Sequence, residues 1–203
     1  MSMIPVHLAV EDELSEAVLR RMLHHSNRGY HVGTTYRRGG FGYLRRTVRG
    51  WNRAAVGIPF IILTDLDQYA CPRALIEEWL PEPQQSNLLF RVAVREVESW
   101  LLADAENLSK HLAVHRKWLP GRPDALPDPK AALVDAARRS RSSGLRNRIV
   151  PRPGSTAKQG PDYNGCLVAF VLTTWDIEAA RAVSPSLART VKKLSEFTPT
   201  WQR

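Results

Sequence analysis

The chain has 203 residues, of which 43% are hydrophobic, and carries a formal net charge of +9. That length suits one domain, or one domain with a small C-terminal appendage, and the apolar share supplies a sizeable core and excludes wholesale disorder. No apolar run reaches the length of a spanning helix, and Glu11, Asp12 and Glu13 directly after a short apolar segment exclude a signal peptide, so a cytoplasmic protein with no membrane contact is expected.

Val6 to Val10 reads as a short strand ending at Glu11. Glu13 to His25 follows as an amphipathic helix, with Leu14, Val18 and Met22 on one stripe. Tyr30 to Tyr36 is a second, weakly hydrophobic strand. The loop Arg37-Arg-Gly-Gly-Phe-Gly42 then leads into a basic helix over about Tyr43 to Ala55; its glycine spacing matches neither a P-loop nor a dinucleotide fingerprint, so ATP binding is not expected.

The run Ile58-Pro-Phe-Ile-Ile-Leu-Thr-Asp-Leu-Asp67 is the most informative stretch. A continuous apolar run of this kind is a strand buried on both faces of a parallel sheet, and ligands of such sheets bind beyond the strands' carboxyl ends. Asp65 and Asp67 would emerge there, as oxygen ligands suited to magnesium or manganese, or as turn residues capping the next helix. That helix spans about Pro72 to Leu80, with Leu75, Ile76, Trp79 and Leu80 buried, and Pro81 and Pro83 end it. Asn87 to Val97 is the fourth strand, running into Glu96 and Glu98 before a helix over about Ser99 to Leu112. Strands alternating with helices in this way predict an α/β fold with a mostly parallel sheet.

Leu119 to Pro161 is rich in Pro, Arg, Ser and Gly, with one short helix expected near Pro129 to Arg139. Two or three helices follow between about Asp162 and Phe197, the last capped by Ser184 and Pro185 and burying Leu187, Val191 and Leu194. The domain boundaries drawn from these shifts are 1–118 for the α/β part, 119–161 for the basic loop region and 162–203 for a helical extension packed on the core.

Charge is concentrated in two stretches. Ala17 to Thr64 contains no acid but holds Arg37, Arg38, Arg45, Arg46 and Arg49 among its arginines; Ala136 to Pro161 is likewise free of acid and holds Arg146, Arg148, Arg152 and Lys158. The guanidinium fork suits phosphate, so a nucleic acid is the expected partner, against the alternative of an acidic protein. Cys71 and Cys166 lack zinc or disulfide spacing and read as reduced thiols. His111 and His115, four apart on one predicted helix, lack a third zinc ligand. The six tryptophans suit core and interface packing better than stacking on bases.

The ordered set of Glu11 after the first strand, Asp65-Leu-Asp67 after the third, and Glu96-Val-Glu98-Ser-Trp resembles the TOPRIM superfamily. More narrowly it resembles a small stand-alone group of OLD-like TOPRIM proteins, often encoded beside AAA-type ATPases. The likeness covers roughly residues 1–115, and Gly-Pro161-Asp-Tyr163-Asn, Trp175-Asp and Ser184-Pro-Ser-Leu-Ala-Arg resemble that group's C-terminal part.

The resemblance implies a Rossmann-like TOPRIM core and a nuclease that hydrolyses phosphodiester bonds of DNA or RNA with one or two magnesium or manganese ions. It implies an effector of a prokaryotic defence or toxin-like system working with an AAA-type ATPase partner, with self-association as a homo-oligomer left open. Glu11 matches the acid that helps bind metal and moves protons, Asp65 and Asp67 the magnesium-holding pair, and Glu98 (or Glu96) an added acid for a second metal. Lys158 matches a lysine near the scissile phosphate. One departure is Asp12, where the superfamily has glycine. It motivates the alternative of a catalytically inactive nucleic-acid-binding or regulatory subunit of an ATPase complex.

Overall fold

Four strands, β1 (Ile4–Val10), β2 (Tyr30–Tyr36), β3 (Phe60–Asp65) and β4 (Leu88–Ala93), pair in parallel in the order β2-β1-β3-β4 in the computed structural model, which describes residues 3–200. Between them run α1 (Glu13–His25), α2 (Gly40–Ala54) and α3 (Pro72–Trp79). The fold is α/β, an all-parallel sheet flanked by helices, consistent with a Rossmann-like arrangement. After β4 the chain is helical: α4 (Val97–Ala103), α5 (Ala105–His111), two 3-10 turns at Arg116–Trp118 and Pro123–Ala125, α6 (Pro129–Arg138), α7 (Ser143–Ile149), α8 (Tyr163–Thr173), α9 (Ile177–Val183) and α10 (Pro185–Glu196).

The chain divides into two compact units, one comprising the residues up to Val94 and from Arg189 onward, the other Arg95–Ala188. In the first, β3 is buried along its whole length. Side chains alternate across a strand, so Phe60 and Ile62 join Leu44, Val48, Trp51, Leu75 and Trp79 of α2 and α3 in one cluster. Ile61 and Leu63 point to the opposite face, where α1 packs through Leu14, Val18 and Met22. The C-terminal segment ties down the other end of the sheet. Tyr30, at the start of β2, donates its hydroxyl to the Leu194 carbonyl (2.6 Å), and Asn87, just before β4, bonds Thr200 (2.8 Å). These contacts lie at the strands' N-terminal ends and leave the carboxyl ends clear of them.

In the second unit α4 is buried at every residue and packs against α6, α9 and the turn at Pro123–Ala125. The start of α10 is fixed there by Ser184, whose hydroxyl accepts from the Leu187 amide (3.2 Å) and donates to Asp124 (2.6 Å).

Several elements differ from the sequence reading. β4 stops at Ala93, not Val97, because Glu96 takes the N-cap position of α4 and starts the helix two residues early. The helix expected over Ser99 to Leu112 is two, broken at Asp104, whose carboxylate caps α5 by accepting from the Asn107 amide (3.3 Å). α5 ends at His111 and Ala113 takes a left-handed φ of 52°, so His111 and His115 do not share a helix. The region read mostly as loop contains α7, capped by Ser142.

Candidate functional site

From β1 the chain crosses to β2 on one side, and from β2 it crosses back past β1 to β3 on the other. The gap between β1 and β3 is therefore a topological switch point, the place where parallel sheets bind ligands beyond their carboxyl ends. Val10 pairs with Leu63, so Glu11 leaves β1 beside Thr64. Its Oε1 accepts from the Thr64 hydroxyl (2.5 Å) and from the Asp65 backbone amide (2.9 Å). Asp65 closes β3 and is 8% exposed, and Leu66 donates its amide to the Ala93 carbonyl (2.9 Å). Asp67 then turns the chain in a left-handed conformation (φ 48°), which a short polar side chain tolerates better than most.

Burial pushes the Glu11 carboxyl above its ordinary value, and the charges of Asp67 and Asp12 push the same way, while the bonds from Thr64 and the Asp65 amide pull it down. The carboxylates at this switch point thus act on one another. Asp12 has an extended backbone (φ −146°), which any residue adopts, and caps α1 by accepting from the Ser15 amide (2.8 Å). The position after Glu11 therefore places no conformational demand for glycine, and the concern raised by Asp12 does not act through the backbone.

Glu96 and Glu98 belong to the second unit. Glu98, in the first turn of α4, is 1% exposed; its Oε1 accepts from the Tyr163 hydroxyl (3.0 Å), and Lys130 Nζ stands 3.6 Å away. Glu96 accepts from the Lys130 backbone amide (2.9 Å) at the start of α6, where Asp128 already caps by accepting from Ala131 (2.7 Å). Lys158 is exposed and lines a cleft of about 440 Å³ with Glu96, Asp128, Lys130 and Arg138. The sequence reading missed Thr64, Tyr163 and Lys130 as partners of these acids. A hydroxyl directly before Asp65 was the sole signal for Thr64, and nothing local marks Lys130.

The arginines divide by task. Arg37 pairs with Glu16 (3.4 Å), Arg45 with Glu78 (2.7 Å), Arg148 with Asp162 (2.6 Å), and Arg49 and Arg146 donate to the carbonyls of Trp79 and Ser140. Arg38, Arg46 and Arg152 are exposed, with no ion-pair partner shown among the described residues. Arg45, Arg46 and Arg49 line a cleft of about 660 Å³ floored by Phe41 and Trp79. Arg28, also in the first basic stretch, is structural: it donates to the Ser195 and Phe197 carbonyls at 2.7 and 3.1 Å.

No helix among the described residues is long and apolar enough to cross a membrane. Compared with family models, curated proteins and solved structures, the chain matches none.

Proposed function

We propose that the protein is a divalent-metal-dependent nuclease whose centre is the Glu11–Asp65 pair. The observation that carries this is the junction of two acids from the central strands at the switch point, one of them a part-buried carboxylate lifted by burial and by neighbouring acids. A set of oxygen donors that repel one another fits a hard cation. Both hydrogen bonds to Glu11 fall on Oε1, so Oε2 is the oxygen it offers. Among the described residues no three His, Cys, Asp or Glu side chains form a ready-made metal set. Magnesium is suited to such a site, because it commonly takes one or two carboxylates and keeps several waters.

A bound cation would supply neutralisation of the scissile phosphate and a water of lowered pKa. Glu11, Asp65 and Asp67 would hold it. Glu11, whose carboxyl burial pushes above its ordinary value, is also the acid best placed to accept and return a proton. Lys158 and the exposed Arg38, Arg46 and Arg152 offer charge to the phosphate backbone, whose length and salt dependence would report them. The ATPase partner and the defence role rest on the resemblance alone.

A second reading, a non-catalytic nucleic-acid-binding or regulatory subunit, draws on Glu98: Lys130 and Tyr163 already balance it, so it needs no second ion. The test is purified protein with plasmid DNA and structured RNA in magnesium or manganese, alone and with a co-purified ATPase. Cutting that disappears in Asp65→Asn and Glu11→Gln while binding persists is the expected result. Intact substrate under every condition selects the second reading.

A further inference from the structure

One tryptophan of the described residues stands apart. Trp51, Trp79, Trp100 and Trp175 are at most 5% exposed, whereas Trp118 is 45% exposed. Two cations lie over its ring, the Arg139 guanidinium 4.3 Å and Lys117 Nζ 5.1 Å from the centroid. An exposed cation–π contact contributes only about 0.5–1 kcal/mol. That does little to offset the cost of leaving a large aromatic surface in water, so the fold itself gives Trp118 no strong reason to sit there. The sequence assigns the tryptophans to core and interface packing, and Trp118 lies outside the core.

The surroundings continue the pattern. Arg139 ends α6 beside Arg138, and Arg138 lines a cleft of about 590 Å³ with Arg146 and Arg152. Arg138 and Pro151 also line the neighbouring cleft that holds Lys158 and Lys130. The acids on that side, Glu96, Asp128 and Asp135, are each tied to α6: Glu96 and Asp128 cap its start, and Asp135 pairs with Arg138 at 3.3 Å. The second unit thus places Trp118 against Arg139 at the end of α6, next in sequence to Arg138, which lines both the cleft of Arg146 and Arg152 and the cleft of Lys158.

We infer that these residues, from Trp118 through Arg139 and Arg138 to Arg146, Arg152 and Lys158, bind single-stranded nucleic acid, with Trp118 stacking on a base. Arginines that follow a backbone and an aromatic that accepts any base are the components of sequence-tolerant single-strand binding. A duplex keeps its bases stacked and offers Trp118 only phosphates. The inference deepens the nuclease reading by naming the strand class, and it rests on that reading only for what happens to the strand afterwards.

The experiment uses the full chain with EDTA, so that cutting plays no part. Oligo-dT and oligo-rU of about 15 nucleotides are titrated against tryptophan fluorescence and, labelled, by anisotropy. Quenching is expected in the wild type and absent in Trp118→Phe, which keeps a stacking ring and most of the affinity. Trp118→Ala should weaken binding about 5- to 150-fold, the range one stacked base supplies, and leave duplex binding unchanged. Arg152→Ala should lower the slope of log affinity against log salt by about 0.7. Quenching by either oligonucleotide supports the inference, and their ratio tells DNA from RNA. Wild-type affinity in Trp118→Ala, or quenching that survives in Trp118→Phe, overturns it. Binding without cutting in magnesium would instead count against the carboxylate centre alone.

Discussion

Thr64→Val isolates the contact on which the candidate centre is built. The Thr64 side chain is 1% exposed and donates to Glu11 Oε1, and valine fills nearly the same volume without the donor. A hydrogen bond to a charged group contributes about 1.5–3 kcal/mol, and one between neutral groups about 0.5–1.5 kcal/mol. The cost of the substitution should therefore depend on whether Glu11 is ionised. Glu11 titrates above its ordinary value of 4.5, chiefly because it is buried. A raised folded value means that the native state holds the proton more tightly than the unfolded chain. The stability this adds is full below 4.5 and is lost as pH rises through the folded value. Removing Thr64's donor lifts that value further and deepens the loss. Metal-free Thr64→Val should thus lose about 1.5–3 kcal/mol at about pH 8, less up to ~0.8 kcal/mol for the added methyl, and clearly less at about pH 4. Urea unfolding at both pH values reads this as a shift in midpoint at constant slope. In a Glu11→Gln background the cost should fall to the neutral range and lose its pH dependence. A cost equal at both pH values, or unchanged by Glu11→Gln, would refute the coupling.

Asp67→Asn keeps the left-handed turn, which asparagine adopts readily, and removes one of the charges that raise Glu11. A carboxyl titration of Glu11 by NMR should move down, and an unmoved titration would show that Asp67's charge does not reach it. Tyr163→Phe deletes the hydroxyl that donates to the buried Glu98 carboxylate and should cost about 1.5–3 kcal/mol in denaturant unfolding. A loss below about 0.5 kcal/mol would mean that Glu98 is held by other groups. Gly160 brings the loop after α7 back onto its end, donating its amide to the Ile149 carbonyl at 2.8 Å, and a Cβ there would sit 2.3 Å from the Arg148 carbonyl oxygen. Gly160→Ala should cost about 1–3 kcal/mol and expose Cys166 at the start of α8 to thiol reagents, whereas unchanged thiol protection would show that the loop shifts freely.

The sheet was legible because its central strand is written twice over. Phe60–Leu63 is apolar at every position, which only a strand covered on both faces requires, and the acid after it marks the carboxyl end. α1 was legible to the residue through its apolar stripe of Leu14, Val18 and Met22, and the structure adds the cap from Asp12. The end of β4 was not. Val94-Arg-Glu-Val97 continues an alternation that suits a strand, and the helix wins because Val97 to Ala103 is buried along its length by α6 and α9, partners that lie far along the chain. For the same reason Glu98 looked like a strand-end acid when it is a first-turn acid with a lysine opposite. Local pattern carried Glu11, Asp65 and Asp67; their setting depended on pairings between distant residues.

The Glu11 carboxylate poses a question that stability alone does not answer. Glutamine could accept the same two hydrogen bonds from Thr64 and the Asp65 amide without the cost of a buried charge beside Asp12 and Asp67. A fold indifferent to charge at the switch point gains by that exchange. Metal-free Glu11→Gln should accordingly be at least as stable as the wild type at about pH 8 and show a smaller gain in melting temperature on adding magnesium or manganese, since a ligand that binds only the native state stabilises in proportion to its affinity. Stability and function then pull in opposite directions at one residue, as they do where a charge serves chemistry. If Glu11→Gln instead unfolds more easily at every pH and gains as much from the cation, the carboxylate is a structural strut between β1 and β3, and the centre of the site must be sought elsewhere.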